Sequence, residues 1–166
     1  MNHYELFDLP VGYAVDLADL QQRYRKLQQT MHPDRFAAGS ERDKLRAVQL
    51  TSQLNDAYHT LRDPLARAEY LLLLRGVELQ HEQQTLQDPE FLMAQMEWRE
   101  RLAELDATDF SALDAAGADL QREQAALQAE LEQALNASED EVAADTIRKL
   151  KFMRKLGREL EALEEL

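Results

Sequence analysis

From about residue 16 to residue 164 the apolar side chains recur at intervals of three and four, and no stretch alternates apolar with polar. That period belongs to α-helices that each bury one stripe, so the chain is predicted to be all-α. Its 5 glycines and 4 prolines are read as falling at gaps between the periodic segments. Leu17, Leu20, Tyr24, Leu27 and Met31 make the first stripe, opened by Asp16 as N-cap with Asp19 three positions on. Gln22, Arg25, Lys26 and Gln29 occupy the opposite face. Pro33 biases His32 away from helical dihedrals and closes that helix. Ser40 with Asp43 has the spacing of a capping box ahead of a second stripe, Ala47, Leu50, Leu54, Ala57 and Leu61, and the two stripes are expected to zip into an antiparallel hairpin. Asp63-Pro64 starts a further helix that stops at Gly76, in the position of a left-handed C-cap.

Asp88-Pro89 supplies another N-cap and N1 proline, after which helices are predicted at roughly 89–106, 109–136 and 139–164, with Ser138 and Glu141 as a capping box for the last. Leu113, Leu120 and Leu127 follow a seven-residue spacing continued by Leu131, which a three-helix bundle satisfies. The expected organisation is a first module over 1–76, a linker over 77–87 and a bundle over 88–166. Charge divides the same way: residues 1–76 hold ten acidic and ten basic side chains, so the whole net charge of −13 lies in the remainder. An acidic second module repels phosphate backbones and the first has no basic stripe, which argues against nucleic acid. No apolar run approaches the roughly 18 residues that span a membrane, and "MNHYELFDLP" carries acids where a leader carries basic charge; a cytoplasmic location is expected. The chain has no cysteine, which removes disulfides, thiolate metal sites and cysteine nucleophiles.

Between the two hairpin helices stands "QTMHPDRFAAGS". Taken alone, His32-Pro33-Asp34 is a helix stop. Its setting is more particular: the preceding helix has a basic outer face, and the next carries "LNDAYHTLRDP" with "RAEYL" beyond. Over residues 2–75 the chain resembles the J-domain co-chaperones, on His32-Pro33-Asp34, the helix from Leu17 to Met31, Leu54-Asn55-Asp56-Ala57-Tyr58, Leu61, Asp63-Pro64, Arg67 and Tyr70. That resemblance implies a hairpin flanked by short helices and a DnaK-type chaperone as partner, engaged by His32, Pro33 and Asp34 with Arg25, Lys26 and Arg35. Arg35 and Leu71 depart from residues common in that family. The Gly/Phe-rich linker and cysteine-rich module of general J-proteins are missing, which points to a dedicated client.

On a helical wheel centred on Trp98, Phe91, Leu102 and Leu105 fall on the core side. Leu92, Met93 and Met96 fall opposite, beside Glu97, Glu100 and Glu104. A contiguous apolar patch with acidic neighbours on a face that should meet water suggests docking, and methionines suit adaptable contact. On the last helix the core stripe runs through Ile147, Leu150, Met153, Gly157 and Leu160, leaving Phe152 off the buried face. "FLMAQMEWRE" and "AADTIRKLKFMRKL" after a J-domain resemble the HscB family of iron-sulfur cluster assembly over nearly the whole chain. This implies that Leu92, Met93, Met96, Glu97, Glu100, Glu104 and Phe152 bind an IscU-like scaffold protein for presentation to an HscA-like chaperone. No enzyme, metal or cofactor is expected: His32 with Asp34 could serve as acid and base but lacks a nucleophile or a deep pocket, Glu97 with Glu100 reads as surface, and His3, His32, His59 and His81 have no close ligand spacing. The rival is a structural helical adaptor or coiled-coil oligomer, for which the leucine heptad speaks.

Overall fold

The computed structural model describes residues 1–166, except for the side chains of 81 and 82. Among the described residues there are helices and no strand, in two compact units, Met1–Leu74 and Arg75–Leu166. His81, weighed above as a metal ligand, lies outside the described side chains.

In the first unit each helix begins where a short polar side chain satisfies its free N–H groups. Asn2 accepts from the Glu5 N–H at 2.8 Å to open α1, His3–Leu6. Asp16 accepts from Ala18 and Asp19 at 3.0 and 3.2 Å to open α2, Leu17–Met31. Ser40 caps Asp43 at the start of α3, Glu41–Arg62, and Asp63 caps Ala66 at the start of α4, Pro64–Leu74. Such caps are each worth about 1 kcal/mol. Packing does the rest: Leu20, Leu54, Ala57 and Leu61 are fully buried with Tyr4 and Phe7, at about 2 kcal/mol per large side chain. Leu17, counted in the stripe, is 50% exposed. It lies in the first turn at the edge of the arc, roughly 50° from the stripe's centre at about 100° per residue.

Several residues that carry the J-domain resemblance clamp this hairpin to its flanks. Tyr24 donates to Asn55 Oδ1 at 2.7 Å while its ring stacks on Tyr58 at 4.0 Å. Tyr70 stacks on His3 at 4.2 Å and accepts the His3 N–H at 2.9 Å; burial holds the His3 imidazole below its usual value against the opposing pull of Asp56. Buried Arg67 donates to the carbonyls of Tyr13 and Leu61 at 2.7 and 2.6 Å, closing loop and helix end that would otherwise leave bare oxygens.

The second unit is built on α7, Phe110–Asn136, and α8, Asp140–Glu164, which run antiparallel so that Leu113 meets Leu160 and Leu120 meets Met153 and Leu156. Against them lies α6, Pro89–Glu104, through buried Phe91 and Trp98. The indole N–H of Trp98 donates to Glu123 at 3.0 Å. Before it, the stretch 77–87, expected as a linker, contains α5, His81–Leu86, packed on α6 and α8. Its N-terminus has no side-chain cap; tertiary contact rather than local sequence makes it helical, including the bond from Arg148 to Thr85 Oγ1 at 3.2 Å.

Two details differ from expectation. Ser138 does not cap α8. It sits at φ 57° and ends α7, with its N–H on the Leu135 carbonyl and the Glu139 N–H on that of Ala134, a Schellman arrangement that needs a left-handed residue there. Gly117 and Gly157 mark no gap but lie inside α7 and α8, each facing a leucine of the opposite helix.

Candidate functional sites

The first site is the bend after α2. His32 leaves the helix with ψ 133°, and Pro33 then opens a 3-10 turn, Pro33–Phe36. His32 Nδ1 accepts the Asp34 N–H at 3.1 Å, and the His32 carbonyl accepts the Arg35 N–H at 3.0 Å. The turn is thereby closed from both sides, and proline removes one backbone freedom more. The Asp34 carboxylate stands 93% exposed, 3.5 Å from His32 Nδ1. The Thr51 hydroxyl on α3 donates to the Ala47 carbonyl at 2.8 Å and lies 3.3 Å from the Met31 carbonyl at the end of α2. Arg25, Lys26 and Arg35 are exposed and make no ion pair among the described residues. The bend thus offers one carboxylate and three unengaged cations on a rigid hairpin.

The second site is the outer face of α6. Met93 and Met96 are 62% and 70% exposed, and Glu97, Glu100 and Glu104 are exposed with them. Leu92 is half-buried. Phe152 is also half-buried rather than clear of the core: its ring meets Phe91 edge-on at 5.7 Å and Arg99 lies 5.4 Å over it. A wheel drawn for α8 alone finds the stripe that meets α7, whereas Phe152 meets α6. The arginines of α6 are turned away from the acidic face, Arg99 pairing with Glu159 and Arg101 with Asp119. Hydrogen bonding from Arg101 holds the Asp119 carboxyl below its usual value.

Sequence reasoning passed over Arg148. It is buried beside the core stripe, donates to Asp88 at 2.8 Å and to Asp145, and lies 4.8 Å over Phe91. It anchors the N-terminus of α6 and so sets how that helix presents its outer face. Only Asp88, at a helix-start position, and Asp145, three residues before it on α8, hinted at it.

A family model described as the DnaJ domain matches residues 2–70, and one described as the HSCB C-terminal oligomerisation domain matches residues 87–161. A co-chaperone HscB homologue from Aeromonas salmonicida is 50% identical over 167 residues, covering 99% of this chain and 97% of its own length. The chain belongs to the HscB co-chaperone family. The fold agrees: HscB from Vibrio cholerae superposes with a TM-score of 0.95 at 51% identity, over 99% of this chain and 98% of its own. Human HscB gives 0.91 at 29% identity, over 98% and 81%. As an HscB family member with a J-domain the protein has a DnaK-type chaperone as its implied partner. None of its described helices is long and apolar enough to cross a membrane.

Proposed function

We propose that this chain is a non-catalytic cytoplasmic co-chaperone that carries an IscU-like iron-sulfur cluster scaffold protein on α6 and delivers it to an HscA-like chaperone. His32-Pro33-Asp34 triggers ATP hydrolysis in that chaperone. What carries this reading is that both surfaces reach solvent with their chemistry unspent. Asp34 is free to accept a bidentate bond from a partner arginine, and Arg25, Lys26 and Arg35 steer docking onto an acidic surface. The Met93–Met96 patch buries apolar area against the scaffold, while Glu97, Glu100 and Glu104 select basic neighbours around it. One chain holding both partners raises the local concentration of each beside the other.

The test has two arms. Asp34→Asn removes the charge and leaves the turn intact; it abolishes stimulation of the chaperone's ATPase, and undiminished stimulation overturns the first half. Alanine at Leu92, Met93 and Met96 weakens scaffold binding by at least about tenfold, and an unchanged Kd overturns the second. A mere helical adaptor stimulates no ATPase in any form.

A further inference from the structure

The outer face of α6 also exposes two methionine thioethers to solvent. With no cysteine anywhere in the sequence, the thioethers are its most readily oxidised side chains. Of the 5 methionines, Met153 is 5% exposed in the cluster of Trp98, Leu120 and Leu156, and Met31 is half-buried at the end of α2. Met1 is the free terminus. Met93 and Met96 are the two exposed internal thioethers, one helical turn apart, on the face assigned above to the scaffold.

We propose that Met93 and Met96 are a sulfoxidation site and that their oxidation by hydrogen peroxide releases the scaffold protein; the switch rests on the function proposed above. The sulfur lone pair attacks one peroxide oxygen, the O–O bond breaks and an S–O bond forms. The proton on the transferred oxygen passes to the leaving hydroxide, giving methionine sulfoxide and water, so sulfur loses two electrons and peroxide gains them. The product is a strong hydrogen-bond acceptor where an apolar group stood. Its neighbours on α6 are the carboxylates Glu97, Glu100 and Glu104, acceptors themselves, and the nearby arginines are engaged elsewhere, Arg99 with Glu159 and Arg101 with Asp119. Burying the new polar oxygen in an apolar interface costs its desolvation, a penalty sufficient for roughly tenfold weaker binding or more. Lacking a thiol, the chain cannot reverse the step; a methionine sulfoxide reductase must.

The experiment titrates the full chain with hydrogen peroxide, locates sulfoxide by peptide mass mapping, and measures Kd for the purified scaffold protein before oxidation, after it, and after reductase treatment. Met93→Leu/Met96→Leu is carried in parallel. The expected result is sulfoxide at 93 and 96 ahead of 31 and 153, a Kd raised roughly tenfold and restored by the reductase, and a double-leucine variant whose own Kd, whatever its starting value, does not move with peroxide. Oxidation of Met153 or Met31 first, or a Kd unmoved by sulfoxide at 93 and 96, overturns the switch alone. Failure of the unoxidised protein to bind scaffold overturns the proposed function and the switch with it.

Discussion

His32 Nδ1 accepts the backbone N–H of Asp34 at 3.1 Å, so the imidazole caps the turn that presents its own neighbour's carboxylate. A histidine at this position therefore has a task before any partner arrives: it holds the backbone from which the Asp34 side chain projects. Removing the acceptor leaves the turn free to sample other geometries and costs affinity for whatever reads the carboxylate.

On the proposed function, His32→Ala is expected to weaken ATPase stimulation about fivefold through the loss of a pre-organising hydrogen bond worth about 1 kcal/mol, and further if the partner touches the ring. Stability should fall by no more than about 1 kcal/mol, the worth of that one hydrogen bond, because the side chain is half-exposed. His32→Asn can return an oxygen acceptor to the same N–H. Titrating the chaperone with each variant and following its ATPase separates the two contributions: partial rescue by asparagine measures the cap, and the remaining deficit measures the ring.

The sequence features that proved legible are the local ones. Asp16, Ser40, Asp63 and Asp88 cap the helices that their positions announce, because a cap is satisfied within three residues of chain. The exposed side of α6 was likewise legible, since Trp98 and Phe91 fix the buried side and helical geometry fixes the other. Long-range contacts were not. Nothing within reach of Arg148 along α8 says that Asp88, 60 residues earlier, will be its partner, and nothing around Phe152 says that Phe91 will lie against it. Ser138 misled because serine followed by Glu141 fits a helix start as well as a helix stop. Only the tightness of the α7–α8 corner decides for the stop.

That corner holds a non-glycine residue in the left-handed region at φ 57°. Ser138→Gly removes the Cβ that disfavours this conformation and should stabilise the second unit by about 0.5–1 kcal/mol. Urea unfolding followed by the fluorescence of Trp98, the chain's single tryptophan and part of this unit's core, reads the change. The midpoint should rise with the slope unchanged. A fall would mean that the serine hydroxyl, rather than the backbone geometry, holds the corner.

Asp88 does two jobs with one carboxylate: Oδ1 accepts the Phe91 N–H at 3.1 Å as the N-cap of α6, and Oδ2 accepts from Arg148 at 2.8 Å. The Arg148 hydrogen bond, followed by that from Phe91, holds its carboxyl below the ordinary aspartate value of 3.8. Arg148 is the more dependent partner, since its side chain is 4% exposed and its Nε has no hydrogen-bond partner among the described residues. Asp88→Asn keeps a good cap and removes the charge, leaving the guanidinium with Asp145 as its one carboxylate beside the Thr85 hydroxyl, and should destabilise the second unit by about 2 kcal/mol at neutral pH. A carboxyl whose folded value is depressed contributes its full stabilisation above 3.8 and loses it as pH falls through the lower folded value. The gap between the wild-type and Asp88→Asn urea midpoints should therefore be constant from neutral pH down to about pH 5 and narrow as pH drops below about 4. A gap that persists unchanged into the acid range would show that the loss at neutral pH comes from the cap and not from the charge on Asp88.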